Sequence, residues 1–494
     1  MPVSSEADPQ IARWDRSFFG HPRGLSTLFF TEMWERFSFY GMRTILLFYM
    51  TRAIASGGLG FPDSKAGAIY GIYMSLVYLV SVPGGWIADR ILGQRRSVLW
   101  GGVIIALGHY SMAIPTLATF FAGLGLIICG TGLLKPNVST LVGGLYGEND
   151  ARRDAGFSIF YMGINIGALI SPIICDYLGE NVGWHYGFGA AGVGMTLGVI
   201  QYVAGWRFLG DTGSISSRAH SDVRVFRTAA ISAICILIVV GLLGWRFAGA
   251  ITTAAINNAF GVLLVAIVVG FFAWLFRAPG YSAIERRRFK AIAVLFVASA
   301  MFWFAYEQAG STLNLFAERN TNLRVWDSGI WGRFLPGYFQ AFNPVMLIIL
   351  APVLAWVWVK LGPRDLSSTT KFSIGLVLVA AGFAILIPVS TGSLASPWWL
   401  TLTYFLHTVG ELCLSPVGLS AMTKLAPARI ASLIMGVWFL SISVGEYMGG
   451  YAASLYQTIP LPVLFGIVAG FCGAVGLALA ALIRPMKKLM GGVN

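Results

Sequence analysis

The sequence predicts an all-α polytopic membrane protein with about fourteen membrane-spanning helices. Hydrophobic residues make up 56% of the 494-residue chain. Charged residues make up 11%, less than half of the roughly 25% that is typical of soluble domains. Apolar stretches of about 20 residues recur along the chain, and each is long enough to cross a hydrocarbon core of roughly 30 Å.

The N-terminal segment is polar and has no compact apolar run before a small-residue cleavage site. We therefore expect a tail rather than a signal peptide, and a first helix that is retained. The five cysteines and five histidines are dispersed singly along the chain. No disulfide framework, metal site or cofactor is predicted from such spacing.

The net charge of +13 follows from the placement of basic residues in the loops. A large majority of the 34 lysines and arginines fall in alternate loops, starting with the N-terminal tail. Such asymmetry marks the cytoplasmic side of a membrane protein. We therefore expect both termini in the cytoplasm and no nucleic-acid partner.

The predicted spans form two groups of six, separated by two polar, basic segments and a helical hairpin near 226–245 and 251–276. A hairpin returns the chain to the side that it left, so both halves keep the same orientation. Two six-helix halves are the arrangement of the major facilitator fold. The predicted parts are a tail 1–23, an N-terminal bundle 24–210, a linker with the hairpin 211–289, a C-terminal bundle 290–485 and a tail 486–494.

The loop after the second span, "GGWIADRILGQRR", places an acid beside several basic residues. It is similar to the loop motif of the major facilitator superfamily and predicts ion pairs that open and close with a cytoplasmic gate. A plain basic inner loop is the alternative. The residues concerned are Asp89, Arg90, Arg95 and Arg96.

The first span contains "TEMWERFSFYGMR", in which Glu32, Glu35, Arg36, Tyr40 and Arg43 fall on or beside one helix face. A charge at the bilayer centre costs roughly 2.5–3.5 kcal/mol on insertion scales. These side chains should therefore face one another and a watery pathway. For Glu32 alone, contact with lipid headgroups is an alternative.

Other spans carry isolated polar side chains. Lys135 precedes a helix-kinking proline and needs a carboxylate or a substrate anion, unless it snorkels to the interface. Glu307, with Trp303 one turn earlier, and Glu411, with Ser415 one turn later, lie in the C-terminal half. Asn165 and Asn343 could bind an amide backbone or, equally, bond another helix.

The basic residues expected deep in the membrane, Arg43 and Lys135, therefore come from the N-terminal half. The acidic residues Glu307 and Glu411 come from the C-terminal half. A ligand between the halves would meet a positive wall and a negative wall, which suits a small zwitterion. Glu446 has no assigned role.

Together these residues resemble the proton-dependent oligopeptide transporter family, of bacterial type, over essentially the whole chain. The most specific element is the ExxER-F stretch at Glu32, Glu35, Arg36 and Phe37. "FYMGINIG", "KPN", "EQAGS" and "GELCLSPVG" are similar to family patterns in later spans. Where the family usually has two tyrosines, this chain has Phe39 and then Tyr40.

The resemblance implies a bacterial inner-membrane symporter that imports di- and tripeptides with protons, not an enzyme, and functional as a monomer. It implies Arg43 and Lys135 as ligands of the peptide carboxylate, and Glu411, Asn165 and Asn343 as ligands near the amino end. The implied pocket residues are Trp303, Trp438, Tyr40 and Tyr78, and Ser415, one turn after Glu411, is a further substrate-binding candidate. The implied proton-coupling residues are Glu32, Glu35, Arg36, Lys135 and Glu307, with Glu307 paired to Arg43.

A carrier of nitrate or another small anion is the alternative function. The intact ExxER stretch and Glu411 argue against it, because a carboxylate in the pocket would repel an anion.

Overall fold

The structure is a computed structural model that describes residues 16–147, 150, 152–214, 252–327, 333–362, 366–427 and 430–491. The described chain is almost entirely helical. Its helices are α1 (Arg23–Thr51), α2 (Asp63–Leu79), α3 (Ser81–Ile87), α4 (Gln94–Met112), α5 (Leu117–Gly144), α6 (Arg153–Asn181), α7 (Trp184–Gly205), α8 (Thr253–Arg277), α9 (Ala283–Tyr306), α10 (Thr312–Asn320), α11 (Phe342–Leu361), α12 (Ser368–Ala384), α13 (Pro397–Leu425), α14 (Ala431–Ser454), α15 (Leu461–Ala481) and α16 (Ile483–Met490).

Nine segments in the described part of the chain are long and apolar enough to cross a membrane. Four other predicted spans correspond to α1, α4, α12 and α13. Charged side chains lower the hydropathy of α1, and α12 has only 17 residues. The predicted hairpin helix 226–245 lies outside the described residues, whereas its partner is α8.

Three predicted spans are interrupted or shortened. The second span breaks at Val80 and ends in a π-helical turn, Ala88–Leu92. The seventh contains a 3₁₀ turn, Glu307–Gly310, between α9 and α10. The span expected near 371–390 is helical only to Ala384, and Pro388 cannot donate the backbone hydrogen bond that a continuing helix needs.

The chain divides into two compact units. The first unit is Met1–Arg43 with Val80–Thr252, and the second is Thr44–Leu79 with Thr253–Asn494. The second unit therefore includes the end of α1 and all of α2. The predicted domain boundaries stay a prediction.

Glycines allow α4 and α5 of the first unit to pack backbone against backbone. A Cβ on Gly130 would lie 2.6 Å from the carbonyl oxygen of Gly101. Around this contact, Val98, Ile105 and Leu134 belong to one buried apolar cluster. This packing fixes α5, the helix that carries Lys135.

In the second unit, α2 packs against α14 in the same way. A Cβ on Gly450 would lie 2.2 Å from the Cα of Gly71, so a side chain there requires the helices to move apart. The hydroxyls of Ser75 and Ser443 lie 2.7 Å apart across the same contact.

We expect Gly450→Ala to lower the stability of the protein by about 1–3 kcal/mol, because overpacking a close helix contact forces backbone shifts. The measurement is the midpoint of thermal unfolding of the purified protein. Gly470→Ala is the matched control, since Gly470 is a helical glycine with open space around its Cβ position. Equal midpoints for the two variants would contradict the packing argument.

Ion pairs join the end of α10 to the start of α2 and to the residue that follows α1, all within the second unit. The Arg319 guanidinium donates to both carboxylate oxygens of Asp63, at 2.6 and 3.1 Å. The Nε of Arg52 lies 2.7 Å from Oε1 of Glu318. Bidentate arginine–carboxylate geometry is the strong form of this interaction.

Candidate functional site

The charged stripe of α1 is buried in the first unit. The Arg36 guanidinium contacts the carboxylates of both Glu32, at 3.1 Å, and Glu35. All three side chains are at most 4% exposed. The predicted mutual pairing of these charges is therefore present, and Glu32 contacts Arg36 within this cluster.

Lys135 and Arg43 add two basic side chains beside this cluster. Lys135, half-buried in α5, lies near enough to Glu32 for its charge to act on that carboxyl group. Arg43 is 5% exposed, and its Cζ lies 5.8 Å from the centre of the Tyr40 ring. The Arg36 Cζ lies 6.0 Å from the same ring, so Tyr40 contacts both guanidiniums.

Asn165 is buried in α6, and its Nδ2 donates to the carbonyl oxygen of Tyr161 one turn earlier, at 2.9 Å. One amide donor is therefore used within its own helix. This leaves the amide oxygen as the atom that could accept a hydrogen bond from a ligand.

In the predicted gate loop, Arg95 contacts the backbone just after the end of α7. Its guanidinium donates to the carbonyl oxygens of Gly210, at 2.5 Å, and Trp206, at 3.2 Å. Asp89 and Arg90 lie in the turn before it, and Arg96 follows it in α4. A gating role for this loop stays a prediction.

Glu411 is the centre of a hydrogen-bonded group in the second unit. Its Oε2 accepts from the hydroxyl of Tyr306 at 2.6 Å and from Nδ2 of Asn343 at 2.9 Å. The same Nδ2 lies 3.0 Å from Oγ1 of Thr408. Helices α9, α11 and α13 each contribute to this group, and Glu411 is 8% exposed.

Glu307 and Trp303 lie close to this group along the chain. Glu307, 4% exposed, begins the 3₁₀ turn after α9, and its charge acts on the carboxyl group of Glu411. Trp303 packs edge-on against Tyr306, with ring centres 5.3 Å apart. Within the described part of the chain, the indole Nε1 of Trp303 makes no hydrogen bond, so it could donate to a ligand.

The remaining pocket candidates lie in the second unit with different surroundings. Trp438 is 2% exposed and packs against Phe372 and the backbone of Gly418, as a core side chain does. Tyr78 is buried in α2, whereas Ser415 is half-buried in α13. Their roles in a pocket stay predictions.

The profile of the POT family (PTR2) matches residues 95–466. The chain belongs to the POT family.

Full-length relatives agree with this POT-family assignment. The chain is 41% identical to the uncharacterized transporter YclF of Bacillus subtilis, with 97% of each chain covered. It is 39% identical to a di-/tripeptide transporter of Lactococcus lactis subsp. cremoris, covering 98% of this chain and 99% of the relative. This POT-family chain is therefore an integral membrane transporter and not an enzyme.

The fold of the POT-family chain also matches a solved structure. The crystal structure of a peptide transporter POT in complex with sulfate superposes with a TM-score of 0.91 at 43% identity. The match covers 98% of this chain and 99% of the other. The predicted all-helical major facilitator fold is confirmed.

Two members of the Glu411 group in this POT-family chain were not predicted from the sequence. Tyr306 directly precedes Glu307 and lies one turn after Trp303, and Thr408 lies one turn before Glu411. Both residues could therefore have been identified from the sequence, because residues one turn apart share a helix face with the predicted residues. Among the described residues, no group of three or more His, Cys, Asp or Glu side chains could hold a metal ion.

Proposed function

We propose that this POT-family chain is a proton-coupled symporter that imports di- and tripeptides by alternating access. The observation that carries the proposal is the buried Glu411 carboxylate, held by Tyr306 and Asn343. A buried carboxylate with two fixed donors is a preorganised partner for a peptide ammonium group. The named di-/tripeptide transporter of Lactococcus lactis supports the same substrate class.

The two charged ends of a peptide have partners of opposite sign in the two units. Arg43 and Lys135 of the first unit bind the carboxylate, and Glu411 of the second unit binds the ammonium group. Asn165 and Asn343 bind the amide backbone near the amino end. The pocket around the peptide side chains is formed by Tyr40, Tyr78, Trp303, Ser415 and Trp438.

Proton coupling uses the buried acids and their basic neighbours: Glu32, Glu35, Arg36, Lys135 and Glu307. The pairing of Glu32 and Glu35 with one guanidinium supports this assignment, because protonation of a carboxylate weakens its hold on the base. A released base can then hold substrate or allow a gate to open.

The carrier resides in the bacterial inner membrane, with both termini in the cytoplasm, and works as a monomer. The basic residues that concentrate in alternate loops support this orientation. Asp89, Arg90, Arg95 and Arg96 form the cytoplasmic gate loop in this arrangement.

Proteoliposome uptake tests the function directly. Under an imposed pH gradient, acid outside, we expect labelled dialanine to accumulate and unlabelled dialanine to compete. Nitrate should compete poorly because an anion meets the carboxylate of Glu411, and free alanine should compete poorly because it lacks the amide that Asn165 and Asn343 would bind. No accumulation of dialanine would overturn the proposal, and full competition by nitrate would favour anion transport instead.

We expect Tyr306→Phe to raise the KM for dialanine by about 10- to 100-fold, because a hydrogen bond to a charged group contributes about 1.5–3 kcal/mol. The hydroxyl of Tyr306 fixes the Glu411 carboxylate, so its loss should weaken binding of the ammonium group. Tyr447→Phe is the matched control, since that hydroxyl donates to the backbone carbonyl of Asn257 at 2.8 Å. Equal KM values for the two variants in uptake assays would refute this role.

A further inference from the structure

The second unit contains a cavity of about 640 Å³ that the peptide-transport proposal does not use. It lies between the C-terminal end of α11, the start of α12, the last turns of α13 and the short helix α16. None of the described residues that line it is among the side chains assigned above to the peptide or to proton coupling.

Three lysines from three different helices converge on this cavity: Lys371 of α12, Lys424 of α13 and Lys487 of α16. No carboxylate is among the described lining residues. Lys371 is only 7% exposed, and its Nζ lies 4.4 Å from the centre of the Trp358 ring. Lys371 and Lys424 also make other contacts within the protein. The inference therefore rests on positive charge concentrated around one cavity.

Hydrogen-bond donors complete an environment suited to an anion. Ser367 and Ser368 line the cavity where the 17-residue helix α12 begins, and Ser420 lines it from α13. Ser367 caps α12 by accepting from the backbone N–H of Thr370 at 3.3 Å. The first turn of a helix offers further N–H donors and a partial positive charge. Such donor sets bind phosphate groups.

The position of the cavity indicates where the anion comes from. Lys487 belongs to α16, in which Met486 and Met490 are buried while Lys487 and Lys488 are exposed. Because α16 directly follows the last span and carries exposed lysines, we expect it at the level of the lipid headgroups. Apolar side chains of α13, such as Leu412 and Val417, form another wall of the cavity. The cavity thus combines a charged end with an apolar surface, as a phospholipid does.

We propose that this cavity binds the phosphate group of an anionic phospholipid from the leaflet on the side of the basic loops. The lysines and hydroxyls hold the phosphate, and the apolar wall contacts the glycerol and the first acyl carbons. Basic clusters at this position attract anionic lipids. The bound lipid links α12, α13 and α16.

The test uses the purified full-length protein and dioctanoyl phosphatidylglycerol, with binding followed by the shift in thermal unfolding midpoint and by native mass spectrometry. The double variant Lys424→Gln/Lys487→Gln removes two lining charges that are exposed in the structure. Lys360→Gln/Lys488→Gln is the matched control, because it removes two exposed charges at the ends of α11 and α16 that do not line the cavity.

We expect the lining variant to bind phosphatidylglycerol at least about tenfold more weakly than the parent, and the control to bind it as the parent does. Equal loss in both double variants would overturn the proposal in favour of general surface attraction. Inorganic phosphate is the second arm. If phosphate alone stabilises the parent as well as the lipid does and displaces it, the site serves a soluble phosphate and the lipid assignment is overturned.

Discussion

Glu411→Gln should raise the KM for dialanine by about two orders of magnitude in proteoliposome uptake. Loss of one partner of a buried, hydrogen-bonded charge pair costs about 2–5 kcal/mol, and each 1.4 kcal/mol is tenfold. A glutamine retains an oxygen that can accept from the hydroxyl of Tyr306, which lies 2.6 Å from the native carboxylate. The variant therefore removes the charge with little change in shape.

A blocked peptide separates loss of the ammonium contact from general damage. N-acetyl-dialanine lacks the ammonium group, so its weak competition should be nearly the same in the parent and in Glu411→Gln. Glu285→Gln is the control for removal of an acid from the same unit. It keeps the capping box of α9, in which the residue-285 side chain accepts from the backbone of Ser282 at 2.7 Å. An unchanged KM for dialanine in Glu411→Gln would remove the basis for the ammonium site.

The contacts within α1 could be predicted because they depend on helical spacing alone. Glu32 and Arg36 are four residues apart, and the structure places Nε of the arginine 3.1 Å from Oε1 of the glutamate. The high cost of charge in hydrocarbon leaves few other arrangements. The cost of polar groups in hydrocarbon also predicted Glu411 and Asn343 as site residues. They lie on different helices and are hydrogen-bonded at 2.9 Å.

The contacts of Tyr306 and Trp438 could not be predicted from the sequence. A tyrosine in an aromatic-rich helix has the same local pattern whether it packs or binds, and only the placement of α9 against α13 brings its hydroxyl to Glu411. Trp438 lies with its ring against Phe372 and Gly418, a contact that the sequence did not predict, and its role in the pocket stays a prediction. In a helix that is apolar on most sides, the hydrophobic pattern does not predict which neighbouring helix a large side chain contacts. The 3₁₀ turn at Glu307 likewise has no clear signal in the sequence.

Glu307→Gln should abolish proton-driven accumulation of dialanine while leaving counterflow exchange intact. A glutamine has nearly the same shape as a glutamate, but its amide does not gain or lose a proton at the pH of the assay. Glu307 is 4% exposed, and its charge acts on the carboxyl group of Glu411. An ammonium group bound at Glu411 would lie close enough to Glu307 along this chain of charges for the two charges to attract each other. We therefore expect substrate and proton to be linked through this pair of acids.

The size of the expected effect follows from the driving force. One charge crossing 100 mV releases roughly 2.3 kcal/mol, and one pH unit adds about 1.4 kcal/mol. Together they can concentrate a neutral zwitterion by two to three orders of magnitude. In Glu307→Gln the ratio of internal to external dialanine should fall to about one under the same gradient.

Two assays on the same proteoliposomes separate coupling from binding. Counterflow, measured without a pH gradient, requires binding and movement of the carrier but no net proton transfer. Glu307→Asp is the conservative control, because it restores a group that can be protonated and should recover part of the accumulation. Undiminished uphill uptake by Glu307→Gln would assign coupling to the Glu32, Glu35 and Arg36 cluster of α1 instead. Loss of counterflow together with accumulation would make Glu307 a binding or structural residue, because its amide variant would then fail at a step that needs no proton.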